Sequence, residues 1–273
     1  MEQYEIREPQ VAGSFYPSSK QQLIKQIESF IDKKSEKTDC LACMLPHAGY
    51  IYSGAVAGGT LSRVNIKDKV ILLGPNHTGY GKNFSIMSSG VWRTPLGQVA
   101  IDNELADNIL SRSKYLQKDS LAHLYEHSLE VELPFLQYFK TDFKIVPISF
   151  LSENFTMLKE IGKEIASVLQ DSAAKNSTLI VASSDMTHYE SQLQAQKKDK
   201  EATDCILQLD EDSLIKKIKQ LDISMCGYAP VVVMLSLAKA LGAKKGELVK
   251  YQTSGDVTGD TSSVVGYAGI IIY

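Results

Sequence analysis

Long apolar runs are missing from this chain of 273 residues, and no stretch approaches the 18 or so consecutive apolar residues that a membrane-spanning helix needs. Runs of like charge are missing too. Twenty-nine Lys and Arg against 32 Asp and Glu leave a net charge of −3 without blocks of one sign, which argues against a nucleic-acid or membrane-surface partner. Cysteine is scarce at four residues, too few for a secreted disulfide scaffold. The opening Met1-Glu2-Gln3-Tyr4-Glu5 lacks the basic and apolar regions of a signal peptide, so a cytoplasmic protein with free thiols is expected. A chain this long buries about 75% of its unfolded surface, so its core needs no disulfide or structural metal.

What is present is an alternation of short apolar runs with amphipathic stretches, the pattern of parallel strands joined by covering helices. Strands are expected over residues 41–45, 70–73, 145–150, 179–182, 248–253 and 264–272. Helices are expected over 19–34, 54–64, 102–112, 126–139, 154–170, 192–209, 213–221 and 226–241. Residues 84–101 interrupt the alternation and read as a β-hairpin or flap. No linker, repeat or low-complexity segment divides the chain. The expected architecture is a single α/β domain over residues 1–273, a three-layer α/β/α sandwich around a mostly parallel sheet.

Three of the five histidines fall just past expected strand ends: His47 in Pro46-His47-Ala48-Gly49-Tyr50, His77 in Gly74-Pro75-Asn76-His77 and His188 in Ser184-Asp185-Met186-Thr187-His188. In open α/β sheets that edge is where ligands bind, and neutral imidazole is the commonest metal ligand. Taken singly, His77 also reads as a turn residue and His47 as a half-buried histidine bonded to backbone. Asp185 is spaced to reach His188 and set its tautomer, which would make the pair a proton-transfer unit; it also reads as a turn or helix cap.

Cys226 opens an apolar helix, and a helix N-terminus favours thiolate, the form of a ligand or nucleophile. Cys40 and Cys43 sit in the apolar run 40–45 and read as buried strand thiols on opposite faces, while Cys205, inside a helix pattern, reads as structural. One motif points elsewhere. His123-Leu124-Tyr125-Glu126-His127 matches H-x-x-E-H, in which two histidines on one helix face hold zinc and the glutamate activates water. The acidic residues around it also read as a solvated face.

Ala12-Gly13-Ser14-Phe15-Tyr16, Pro46-His47-Ala48-Gly49-Tyr50, Gly74-Pro75-Asn76-His77, Arg93-Thr94-Pro95-Leu96, Glu126-His127-Ser128-Leu129-Glu130, Ser183-Ser184-Asp185-Met186-Thr187-His188 and Cys226-Gly227 together resemble the Memo family. Its prokaryotic members are also called AmmeMemoRadiSam system protein B. The motifs occur in the family's order and reach the segment Ser262 to Ala268. The resemblance implies the class III extradiol dioxygenase-like fold, whose iron is held by two histidines and a carboxylate with a further histidine as acid/base. It places His47 and His77 at the histidine-ligand positions, Cys226 where the carboxylate would be, and His188 at the acid/base position. His127, Phe15, Tyr16 and Tyr50 are then expected to line the pocket. His123 has no counterpart, which counts against the inverted zinc pattern.

Thiolate is a softer ligand than carboxylate, so the resemblance carries the fold further than the reaction. The first functional expectation is a metal-dependent redox or oxygenase-like enzyme acting on a small molecule, with iron or copper ahead of zinc. The second is a non-catalytic module that binds a peptide or partner protein in the same pocket, anchored by Phe15, Tyr16, Tyr50 and Arg93. A zinc hydrolase built on His123, Glu126 and His127 ranks third. The family name further implies association with AMMECR-like and radical SAM proteins.

Overall fold

The structure, a computed structural model, describes residues 5–172 and 174–273. The stretch Met1 to Tyr4, part of the segment on which the signal-peptide expectation rests, lies outside the described residues. The strands are β1 (Ile6–Arg7), β2 (Ala42–Leu45), β3 (Lys69–Pro75), β4 (Phe84–Ile86), β5 (Val91–Thr94), β6 (Gly97–Ala100), β7 (Gln117–Lys118), β8 (Lys144–Phe150), β9 (Thr178–Ser183), β10 (His188–Glu190), β11 (Gly246–Thr253) and β12 (Val264–Ile272). The helices are α1 (Lys20–Phe30), α2 (Tyr50–Leu61), α3 (Asn103–Arg112), α4 (Leu121–Leu124), α5 (Glu132–Phe139), α6 (Phe155–Asp171), α7 (Gln192–Leu207), α8 (Glu211–Leu221), α9 (Tyr228–Ala240) and α10 (Gly255–Thr258).

Nine strands form the main sheet in the order β10-β12-β2-β9-β3-β8-β4-β7, with β11 pairing β12. Its centre, β2-β9-β3-β8, is parallel throughout. These strands are buried on both faces, which is why they read as unbroken apolar runs such as Val70-Ile71-Leu72-Leu73. The margins are antiparallel, at β10-β12, β11-β12, β12-β2 and β4-β8, so the sheet is mixed. Residues 84–101 divide: β4 joins the main sheet, whereas the β5–β6 hairpin pairs with β1 in a separate three-stranded sheet.

The two helical layers can be assigned from β12. A Cβ on Gly269 would meet Thr60 of α2, and one on Gly266 would meet Asp199 of α7. These glycines are three residues apart along a strand and so face opposite sides of the sheet. Helices α1 and α5 pack with α2, while α9 lies on β3 and β9 and carries α6 and α8. Alpha helices α3, α6 and α8 begin at Asp102, Asn154 and Asp210, whose side chains accept the backbone N–H of Leu105, Met157 and Ser213.

Several expected elements change: the helix expected over 54–64 runs from Tyr50 to Leu61, and the one expected over 19–34 ends at Phe30. The helix expected over 126–139 starts only at Glu132, because residues 126–131 turn to direct Glu126 and His127 elsewhere. Cys40 precedes β2, so it and Cys43 are not strand neighbours, although both are buried free thiols. Cys205 is likewise buried in α7. Among the described residues no helix is long and apolar enough to cross a membrane.

Candidate metal centre

Strand β9 lies between β2 and β3, so the loops leaving these three strands meet at one edge of the sheet. His47 follows β2 and His77 follows β3, and their rings lie 5.2 Å apart between centroids. Cys226 arrives from the other direction, in the turn before α9. There the backbone N–H of Gly227 donates to Ser184 Oγ at 3.1 Å, stitching the turn to the end of β9. A Cβ on Gly227 would stand 2.3 Å from the Ser183 carbonyl oxygen, so this close approach requires glycine. One donor atom from each of His47, His77 and Cys226 falls within 4.8 Å of the others, and Cys226 Sγ is 3.2 Å from His47 Nε2. In a tetrahedral site, thiolate and imidazole donors stand roughly 3.5 Å apart, so the three side chains fit an ion with little rearrangement.

Each histidine is held from behind. His47 Nδ1 lies 2.7 Å from Ser183 Oγ, and its backbone N–H donates to Asp185 Oδ1 at 2.8 Å. His77 Nδ1 lies 2.9 Å from Glu126 Oε1, and its backbone N–H donates to Oε2 of the same carboxylate at 2.5 Å. Glu126 also accepts the backbone N–H groups of His127 and Ser128. Burial raises the cost of its charge, yet the hydrogen bond from His77 and the surrounding positive groups win and lower it to about 2. Burial likewise pulls His77 down, but Glu126 overrides it and leaves the imidazole above its ordinary value.

His47 has no such carboxylate partner. Burial, reinforced by the neighbouring histidines, holds it well below the ordinary value, so it stays neutral and able to coordinate. Burial also pushes the Cys226 thiol up, and the Asp185 carboxylate adds to the effect. The thiolate-favouring environment expected from the α9 N-terminus is therefore absent in the metal-free chain. Desolvation outweighs the helix there, and only a bound cation would reverse it.

A cavity of about 400 Å³ opens in front of these groups, with Phe15, Tyr52, His127, His188, Tyr189 and Tyr267 among its walls. His127 stacks on His77 at 4.8 Å and meets Phe15 edge-on at 5.0 Å. His77, Glu126 and His127 form a second group of three potential donors. His188 begins β10 and hydrogen-bonds through Nδ1 to the Ser224 carbonyl at 2.8 Å, while its backbone N–H donates to Ser224 Oγ. The expected bond between Asp185 and His188 is not formed. Asp185 points back to the His47 backbone, and Ser224 takes the orienting place.

Other expected site residues lie elsewhere. Tyr16 and Tyr50 are buried beneath the site, donating their hydroxyls to Glu130 and to the Val131 carbonyl, so they pack the floor and do not line the cavity. Arg93 pairs with Glu8 on the surface. His123 belongs to α4, which ends before His127, so the two do not share a helix face. Its ring is fully buried beside Trp92 with neither nitrogen bonded among the described residues, and it joins no group of potential metal donors. The zinc-hydrolase geometry is thereby lost. Sequence reading also missed Ser224 and the Tyr52, Tyr189 and Tyr267 walls. Tyr189, beside His188, and Tyr267, within the segment Ser262 to Ala268, carried a local signal.

Fold and site together define an α/β/α protein with a candidate metal centre on the carboxyl rim of its sheet. The sequence profile described as Memo-like protein matches residues 7–271. A MEMO1 family protein of Aquifex aeolicus is 47% identical over 268 residues, covering 97% of this chain and 98% of its own. One from Methanococcoides burtonii is 44% identical over 98% of this chain and 100% of its own. The chain belongs to the Memo-like family. The crystal structure of an uncharacterized protein from Escherichia coli K12 is similar in fold alone, with a TM-score of 0.55 and 13% identity over 83% of this chain and 98% of that one.

Proposed function

We propose that the chain is a metal-dependent enzyme of redox or oxygenase-like type, in which His47, His77 and Cys226 hold one ion at the floor of the cavity and a small organic substrate binds above it. The observation that carries this reading is the convergence of two imidazoles and one thiol, from residues far apart in sequence, with both imidazoles on the wall of an open cavity and the thiol beside them. The soft thiolate favours copper or zinc and the dioxygenase-like fold points to iron; we place iron and copper ahead of zinc. A bound ion would supply a Lewis-acidic centre with positions left open for substrate.

The chain's own groups do the rest. Glu126 donates no proton; it accepts from His77 Nδ1–H and so leaves His77 Nε2 free to coordinate. The Ser224 carbonyl can only accept, so the neutral His188 ring carries its proton on Nδ1 and keeps a lone pair on Nε2. His188 is therefore set to take a proton from a substrate hydroxyl and return it later. Phe15, Tyr52, Tyr189 and Tyr267 give the cavity aromatic walls against which an organic substrate can pack.

The peptide-module alternative has less support, because Phe15 is the only one of its four expected anchors on the cavity wall. The test is metal binding to the anaerobically purified chain, using Fe(II) and Cu(I), in wild type, His47→Ala and Cys226→Ser. One equivalent bound by the wild type and lost in both variants is expected. Stoichiometric binding indifferent to both substitutions would remove the centre.

A further inference from the structure

Ser183 closes β9 with its side chain fully buried behind His47. Three polar atoms crowd its hydroxyl: His47 Nδ1 at 2.7 Å, the Ser128 carbonyl oxygen at 2.8 Å and Glu132 Oε1 at 2.9 Å. A serine hydroxyl has one proton to give and two lone pairs to offer. The Ser128 carbonyl can only accept, so it takes the proton. The remaining two neighbours must then donate to Ser183 Oγ. For Glu132 that requires the carboxylic acid form, and for His47 it requires a proton on Nδ1.

The surroundings of Glu132 agree with this assignment. Its side chain is fully buried at the start of α5, and Oε2 has no hydrogen-bond partner among the described residues. A charged carboxylate there would be desolvated with one oxygen unmatched. Burial accordingly holds the Glu132 carboxyl well above the usual range, and Asp185 adds to the effect. The opposite hydrogen-bond direction, with Ser183 donating to His47, would set the lone pairs of Ser183 Oγ against the Ser128 carbonyl at 2.8 Å.

We propose that Ser183 is the positioning residue of the centre: held between the Ser128 carbonyl and the Glu132 carboxylic acid, its hydroxyl fixes His47 as the Nδ1–H tautomer and keeps the Nε2 lone pair on the ion position beside Cys226. His47 and His77 are then prepared by different means, one by a relay of neutral groups and the other by a carboxylate. The purpose assigned to this relay rests on the metal reading above, whereas the tautomer itself does not.

The test uses the full chain, metal-free, with nitrogen-15 in its histidines. Nuclear magnetic resonance reports the His47 tautomer, and chelator competition with Co(II) reports affinity in the same samples. Wild type is expected to show His47 protonated on Nδ1. Ser183→Ala is expected to move the proton to Nε2 and weaken Co(II) binding about 10- to 100-fold. Glu132→Gln, whose amide still donates to Ser183, is expected to leave both unchanged. An Nε2–H tautomer in wild type would overturn the relay, and that measurement needs no variant. So would Ser183→Ala with the wild-type tautomer and affinity, or a changed tautomer in Glu132→Gln. A wild type that carries Nδ1–H and binds no Co(II) would uphold the relay while overturning the metal reading.

Discussion

The two walls of the cavity are built differently. On the ligand wall, His47 and His77 each have a buried side-chain partner behind the ring, and the segment bearing Glu126 is clamped in turn. Arg7, 2% exposed, ion-pairs with Glu130 and donates to the carbonyls of His123 and Glu126, with its guanidinium over the Trp92 ring. Glu130 also accepts from the backbone of Gln10 and Val11 and from the Tyr16 hydroxyl, so the N-terminal segment that presents Phe15 is tied to the same clamp. On the opposite wall, β10 pairs with β12 through a bulge at Tyr189, whose φ is +60° and whose side chain is 79% exposed. A bulky residue in the left-handed region is strained, and bulges beside sites re-aim side chains. The contrast teaches that rigidity here is spent on donor geometry, while the substrate-facing wall is left open and under mild strain.

The comparison can be broken most severely at the clamp. Arg7→Met leaves Glu130 charged and buried without its partner, and is expected to cost about 3 to 5 kcal/mol in denaturant unfolding. A loss below about 1 kcal/mol would show that the clamp does not hold the ligand wall. Next in size is Glu126→Gln, which keeps the shape but removes the charge facing His77. Metal affinity is expected to fall about 10- to 100-fold in a chain that still melts cooperatively. Calorimetric titration reads this directly.

The opposite wall should respond in the other direction. Tyr189→Gly relieves the left-handed backbone and is expected to raise stability by about 1 kcal/mol, offset in part by the greater freedom of glycine when unfolded. Metal affinity should not change. A destabilised Tyr189→Gly would mean the ring is packed and the wall is not strained. The smallest effect is expected from Ser224→Ala, which removes two exposed hydrogen bonds between Ser224 Oγ and the His188 backbone and should cost about 0.5 kcal/mol in thermal unfolding without altering metal binding.

The parallel centre of the sheet was legible because strands buried on both faces must be apolar without interruption, and β12 was read to its observed ends, Val264–Ile272. The positions of His47 and His77 beyond strand ends were legible for the same reason. Their partners were not. Ser183 and Glu126 lie 136 and 49 residues away along the chain, and only the order of strands brings them behind the rings. The Asp185–His188 spacing suggested a local contact, yet Asp185 is turned towards the His47 backbone 138 residues away. Tyr16 and Tyr50 illustrate the reverse error. They sit in the motifs that mark the site, but their hydroxyls are satisfied by Glu130 and the Val131 carbonyl, so they support the floor from below.

X-ray absorption at the metal edge, on the chain loaded with one equivalent of Fe(II) or Cu(I), tests the centre most directly. The account predicts one sulfur scatterer contributed by Cys226 together with imidazole nitrogens from His47 and His77, and loss of the sulfur in Cys226→Ser. A first coordination sphere of nitrogen and oxygen only in the wild type would contradict it.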